Sequence, residues 1–354
     1  MTETTTGKRP APAEAGVIPV REAHRFDQLK LENYLKEHLS GYEGPLSIQQ
    51  FSSGQSNPTF KLTAASGRYV LRKKPPGKLL PSAHMIEREY RIFTALADTD
   101  VPVPTTHLLC EDPSIIGTPF YVMDFIEGRV FSDHTLKGME PAQRRAIYDD
   151  MNRVLAALHG VDYVAKGLSD YGKPGNYFAR QVGRWSKQYI AAKTDEIVSM
   201  ENLMKYLQEN IPQDDTTSIV HGDYQLYNLM YHPTEPRILA VLDWELSTLG
   251  HPMADLAYNC MKYYQAGDMA GLVFGGETGI PTEDEFVAQY CQRTGRARVE
   301  DWNFYLAFSF FRLASIVQGV YKRGLDGNAS SAQAVSMRDV VVKTADTGWS
   351  IASR

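Results

Sequence analysis

The sequence is short of cysteine, of positive charge and of long apolar runs, and each shortage closes off a class of protein. Three cysteines in 354 residues, Cys110, Cys260 and Cys291, are too few and too scattered for a disulfide framework or a paired-cysteine metal site. They read as small buried hydrophobes in a reducing compartment. The formal net charge is −5, so no overall basic field draws the chain to nucleic acid or to an anionic membrane. Any phosphate site has to be built locally. The most apolar late stretch, residues 304–320, is interrupted by Ser309, Arg312, Ser315 and Gln318; it reads as a buried helix, too short for a bilayer span. The first fifteen residues have no apolar core, so no secretory leader is predicted and a cytoplasmic location is expected. No repeat of roughly 20–50 residues stands out.

What is present has the balance of a soluble globular protein, with 43% hydrophobic and 22% charged residues. Leu31, Leu35 and Leu39 recur every four residues and predict an amphipathic helix over 26–39. Strands are predicted at 46–51, 59–63 and 69–73, then a helix at 83–97, then strands at 107–111 and 120–125. Composition changes at Ile126-Glu127-Gly128. Beyond it the patterns are helical at 141–159, within 178–207, at 286–292 and at 302–321, interrupted by short strands within 219–245. The expected fold class is α+β: a disordered tail over 1–22, a small β-rich lobe over 23–125 and a larger helical lobe over 126–354. The motif block is expected to face a cleft between lobes, where small-ligand sites occur most often.

That block reads His221-Gly222-Asp223-Tyr224-Gln225-Leu226-Tyr227-Asn228, followed by Leu242-Asp243-Trp244-Glu245 after an apolar strand. Each piece alone is common; an Asn after a turn satisfies its own backbone, and an Asp after a strand caps a helix. Their joint occurrence in this order is more specific. Phosphoryl transfer needs a carboxylate beside the attacking hydroxyl and oxygen ligands for magnesium. Asp223 can supply the first, Asn228 and Asp243 the second, since hard cations prefer carboxylate and amide oxygens. His221 reads as a loop-orienting residue, because no second His sits at ligand spacing.

Three features of the N-terminal half fit the same chemistry. Ser53, Gly54, Gln55, Ser56 and Asn57 form a small turn between predicted strands, where backbone N–H groups can approach a phosphate. The turn matches neither the P-loop nor the dinucleotide fingerprint, and alone it is an ordinary hairpin. Strand alternation puts Arg72 and Lys74 on one face, as a phosphate grip or as charges guarding a sheet edge. Glu89 sits near the apolar face of the next helix and can orient that basic residue; Glu87 reads as a surface charge.

With Tyr69-Val70-Leu71-Arg72-Lys73-Lys74-Pro75-Pro76-Gly77 and the run from Leu242 to Pro252, the chain resembles the aminoglycoside phosphotransferase and choline kinase-like superfamily over residues 46–323. These two runs are close to a branch that includes stand-alone bacterial proteins and kinase-like domains fused to acyl-CoA dehydrogenases. The residues themselves show nothing of a flavin-dependent dehydrogenase. The resemblance implies a bilobal protein kinase-like fold that moves the γ-phosphate of ATP, with Mg2+, to a small-molecule hydroxyl. It implies Asp223 as catalytic base and Asn228 and Asp243 as magnesium ligands. The 53–57 turn would cover the phosphates, and Met123, Asp124 and Ile126 would lie along the adenine. Asp255 would brace the catalytic loop. Two departures stand out. Arg72 occupies the place of the family's phosphate-gripping Lys, with Lys74 in reserve. Trp244-Glu245 replaces the Phe-Gly of protein kinases.

The acceptor is less legible. Glu277, Glu283, Asp284 and Glu285 lie in a turn-rich stretch and read as solvated, so no pocket for a polycation is evident. Arg312, within an apolar helix, needs a partner, structural (Asp255 or Asp301) or on the substrate. Tyr224, Gln225 and Tyr227 line the catalytic loop as candidate acceptor contacts. A hydroxy acid or its acyl-CoA thioester is the expected acceptor. The alternative is a catalytically silent nucleotide- or acyl-binding module of the same fold. Oligomeric state, monomer or homodimer, is not legible.

Overall fold

The structure is a computed structural model that describes residues 16–52, 57–75, 85–264, 274–327 and 332–354. The chain divides into two compact units, Met1–Ser132 with Leu226–Glu245, and Asp133–Gln225 with Leu246–Arg354.

The first unit is built on a six-stranded antiparallel sheet of β1 (Val17–Ile18), β2 (Ser47–Phe51), β3 (Thr59–Ala64), β4 (Gly67–Lys73), β5 (Thr106–Cys110) and β6 (Phe120–Asp124), in the order β1-β2-β3-β4-β6-β5. Helix α1 (Gln28–His38) starts where the Asp27 carboxylate accepts from Lys30 N. Leu31 and Leu35 on its inner face bury against Phe60, Leu62, Leu71, Phe120 and Val122 of the sheet. Helix α2 (Ile86–Leu96) packs against β5 and β6. Val17 and Ile18 pair with Phe51 and Gln50. Part of the stretch expected as a tail is therefore sheet; two residues are too few to show an alternation. A short hairpin, Leu229–Tyr231 with Ile238–Val241, adds Arg129–Val130 as a third strand. The sequence places its composition break at 125/126, whereas the compact unit runs to Ser132 and takes in this hairpin.

The second unit is helical: α3 (Pro141–His159), α4 (Tyr177–Ala192), α5 (Val198–Glu209), α6 (Met253–Cys260), α7 (Glu283–Thr294), α8 (Trp302–Leu325) and α9 (Arg338–Ala352). Pro141 opens α3, and the Gln143 side chain accepts from Glu140 N to complete its first turn. The strands Ser218–Val220 and Thr248–Gly250 pair antiparallel. Helix α8 is the hub, packing on α4, α5, α6 and α9. At 24 residues it is longer than the pattern at 302–321 predicts, and by length and composition it could cross a membrane. Within the unit, 61% of its most apolar stretch is buried, as a core helix requires. The architecture is the α+β class that the sequence predicts, with the strands chiefly in the N-terminal part and the helices in the C-terminal part.

Candidate active site

The His-Gly-Asp turn follows strand Ser218–Val220 in the second unit. Gly222 has φ +83°, and a Cβ there would lie 2.8 Å from Leu246 O, so only glycine fits. Asp255, buried in the first turn of α6, accepts from His221 N at 2.6 Å and from Gly222 N at 2.8 Å. His159 Nε2 lies 3.4 Å from the same carboxylate. Burial opposes the charge on Asp255, yet these partners hold its carboxyl below the usual range. Asp255 thus braces the loop from within. From the other side Arg312 Nη2 donates to Gly222 O at 2.9 Å. The guanidinium lies over the rings of Tyr258 and Trp185, 5.1 and 5.8 Å from their centroids. The partner expected for Arg312 was Asp255 or Asp301; the observed one is the loop carbonyl. Asp223 N donates to His221 Nδ1 at 3.2 Å, which orients the loop as predicted for a fully buried His221. The Tyr258 hydroxyl donates to the half-buried Asp223, and burial followed by the nearby Asp223 charge pushes Tyr258 up to about 12.

The other candidate groups belong to the first unit. Asn228 immediately precedes strand Leu229–Tyr231, and Asp243 closely follows Ile238–Val241. Leu242 N donates to Asn228 O at 2.8 Å, so the two residues sit together at the open end of the hairpin. The Trp244 indole donates to Val241 O at 2.9 Å and fixes the turn after Asp243. Asp243 has φ +62°, a conformation costing about 1–2 kcal/mol for a residue with a Cβ. Such strain persists where surrounding contacts impose it, commonly at functional positions. Its side chain is 42% exposed, with Oδ1 3.4 Å from Arg72 Nη2.

Arg72 on β4 makes a buried ion pair with Glu89 on α2, Nε to Oε2 2.9 Å, with Glu89 2% exposed. Burial works against the guanidinium's charge, but Glu89 outweighs it and the pKa of Arg72 is held above its usual value. Lys74 pairs with Glu87 instead. The shared strand face is as predicted, and α2 sorts the two bases between its two glutamates. Glu87, expected as a simple surface charge, is engaged in that pair. Lys73 points the other way: it is 3% exposed, over the rings of Phe26 and Phe60 at 5.0 and 5.9 Å, and burial lowers its pKa.

Ser53, Gly54, Gln55 and Ser56 lie outside the described residues; Asn57, next to them, is 2% exposed. Met123 is buried in β6, paired with Val70 on one side and Thr106 on the other. Asp124 N donates to Thr105 O, and its carboxylate lies 2.6 Å from His107 Nε2. Asp124 is therefore committed to the sheet. Two expected acceptor contacts are corrected. Tyr224 is fully buried, its hydroxyl donating to Met151 O at 2.9 Å, and Gln225 Nε2 is spent on Tyr258 O at 3.0 Å. A residue of a tightly pinned loop has to satisfy its polar groups locally, and these two turn inward to do so. Tyr227 is 42% exposed. Glu283, Asp284 and Glu285 form the first turn of α7, not a loop, and Glu283 accepts from Tyr264 Oη and Trp302 Nε1.

Sequence reasoning missed Tyr258, Asn259 and Lys262. Their signal was the spacing Asp255, Tyr258 and Asn259, Lys262: polar residues recurring every three or four positions in an apolar helix, on one face.

The sequence profile of the phosphotransferase enzyme family matches residues 47–306. The chain belongs to that family. This makes it a small-molecule kinase by class. It is 48% identical to mouse acyl-CoA dehydrogenase family member 10 over 344 residues, covering 95% of this chain and 32% of that protein. The chain thus spans about a third of that relative's length. A crystal structure from Ralstonia eutropha, provisionally named an aminoglycoside phosphotransferase, is 55% identical with a TM-score of 0.86, covering 93% of this chain and 99% of that one. Aminoglycoside phosphotransferase APH(4)-Ia, solved in ternary complex with ADP and hygromycin B, shares the fold at 15% identity and a TM-score of 0.57, covering 89% and 98% of the two chains.

Proposed function

We propose that this phosphotransferase moves the γ-phosphate of ATP to a hydroxyl of a small hydroxy acid or its CoA thioester. The observation that carries the reading is the pinned Asp223 loop. Its two backbone N–H groups are held by Asp255, its Gly222 carbonyl by Arg312, and the base carboxylate is left half-exposed and aligned by Tyr258. A carboxylate so fixed can accept a hydrogen bond from an acceptor hydroxyl and take its proton late in an in-line transfer. Asn228 and Asp243 fit Mg2+: an exposed carboxylate, fixed at positive φ beside an amide, is the oxygen donor set a hard cation takes. Bound there, Mg2+ supplies neutralisation of phosphate charge. Arg72, oriented by Glu89, is the candidate phosphate grip of this chain, with Lys74 engaged elsewhere.

The acceptor class rests on charge. Arg312, with Trp185 and Tyr258 around it, gives the loop a cationic neighbour, and the Glu283 carboxylate is already used. That suits an anionic acceptor better than a polycation. The mouse relative's name points to acyl-CoA chemistry within its longer chain, and the APH(4)-Ia complex supports a nucleotide site on this fold.

The test is ADP formation from Mg-ATP over hydroxy acids, hydroxyacyl-CoAs, amino sugars and choline-like alcohols. An acid or thioester should be turned over, and Asp223→Ala should lose on the order of 10²–10⁴ in turnover while still binding nucleotide. Activity on amino sugars alone overturns the acceptor class. Full activity of Asp223→Ala overturns the base. Silence across the panel with no magnesium-dependent nucleotide binding points to a binding module.

A further inference from the structure

Lys262, in the helical turn just after α6, is 3% exposed. Its ammonium lies over the rings of Phe286, Tyr148 and Tyr263, with centroids at 4.8, 5.0 and 5.0 Å. It donates to Asn259 Oδ1 at 2.7 Å and to Asn259 O at 3.1 Å. Among the described residues no carboxylate pairs with it. An interior cation without a counter-ion is costly, and a leucine or methionine would fill the same cage at no such cost. What the ammonium adds is direction. Because it occupies Asn259 Oδ1, the amide turns its Nδ2 to Tyr224 O, 2.9 Å away. Asn259 is fully buried, and Tyr224 directly follows Asp223.

We propose that Lys262 is a positioning residue of the phosphotransfer site: its ammonium fixes the Asn259 amide, and Asn259 fixes the peptide that follows the base Asp223. The proposal rests on the reading of Asp223 given above. It carries a pH signature. Burial lowers Lys262 to about 8. The groups facing it are Glu283 on α7, whose charge favours the ammonium, the Cys260 thiol on α6, and His134, which burial and then Lys262 lower to about 4. The hydroxyls of Tyr148 and Tyr263 are pushed upward, chiefly by burial, and burial pushes Cys260 up to about 12. Near pH 8 the group in this set that changes charge is therefore Lys262. Its folded pKa lies below the unfolded value of 10.5. Above pH 8 the unfolded chain holds the extra proton, so the penalty on folding is relieved as pH rises. Catalysis should weaken over the range in which this contribution to stability improves, the reverse of ordinary alkaline unfolding.

The experiment compares the full chain with Lys262→Met and Lys262→Arg. It measures kcat and nucleotide KM from pH 6.5 to 9.5, melting temperature in the same buffers, and hydrogen–deuterium exchange of the peptide spanning residues 219–228 at pH 7. The parent should lose kcat above pH 8, approaching tenfold per pH unit as one lost proton requires, with KM little changed. Lys262→Met should be slower at pH 7 and flat through pH 8, with loop exchange roughly tenfold faster, the size a factor in opening equilibrium gives. Lys262→Arg, charged throughout, should remove the limb near pH 8. Its retention in the Arg variant overturns the proposal, and so does loop exchange in a folded Met variant equal to the parent's. If the Met variant does not fold, the Arg profile decides. If no acceptor is phosphorylated and magnesium-dependent nucleotide binding is absent, the Asp223 reading fails by itself and the exchange data still test Lys262.

Discussion

Two single residues show how narrowly the site is specified. Gly222 has no room for a side chain, since Leu246 O lies 2.8 Å from where a Cβ would be and φ is +83°. Gly222→Ala should cost about 2–3 kcal/mol from the strained backbone and the clash together and should depress turnover more than nucleotide binding; a urea melt with a turnover assay checks both. Glu89 is the second. Glu89→Ala leaves the largely buried Arg72 with only its longer Asp243 contact, and breaking a fully buried pair costs about 3–5 kcal/mol, an upper bound here. A variant that melts with the parent would show that the pair carries no such weight. At this scale the sequence singles out residues whose chemistry is unusual for their setting. Asp223, Asn228, Asp243 and Arg72 stand out because charged or amide groups interrupt strand and turn patterns. Tyr224 and Gln225 misled because adjacency in a motif does not say which way a side chain points; the pinned loop turns both inward.

Secondary elements were legible where one face is apolar. Helix α3 runs from Pro141 to His159 as its pattern predicts, with a proline to open it and Gly160 to end it. The start of α7 is hidden from periodicity, because Glu283, Asp284 and Glu285 look like a solvated loop until Thr282 is recognised as a cap whose hydroxyl accepts from Glu285 N. Thr282→Ala should cost about 1 kcal/mol, read as an equal loss in unfolding free energy; no loss would mean the α7 start is held by Glu283 and its partners alone. In the hairpin sheet, short strands within 219–245 were legible but the third strand, Arg129–Val130, was not. Arg129 pairs with Tyr231, about a hundred residues on, and no local pattern signals a partner that distant. The Lys73 side chain was likewise unreadable, since its cage comes from Phe26 and Phe60 on other elements.

For the whole molecule, buried histidines set the response to acid. Burial lowers His134 and His251 to about 4 from 6.5, in His251 against the pull of Asp214. Between those values the unfolded chain binds more protons than the folded one, so these residues contribute stability that is present above pH 6.5 and lost as pH falls toward 4. Melting temperature should drop across that window, and less steeply in His251→Phe. Equal slopes in parent and variant would place the loss elsewhere. All three cysteines are buried, as their scattered positions suggest.

The division into two compact units interleaves the chain, with crossings after Ser132, Gln225 and Glu245. Neither unit is a continuous segment. As the polypeptide leaves the ribosome, the sheet unit stays unfinished until Glu245 has emerged, while the helical unit has already begun. Synthesis thus completes both units late, and a nascent chain stalled before Leu226 holds an N-terminal sheet without Asn228 or Asp243.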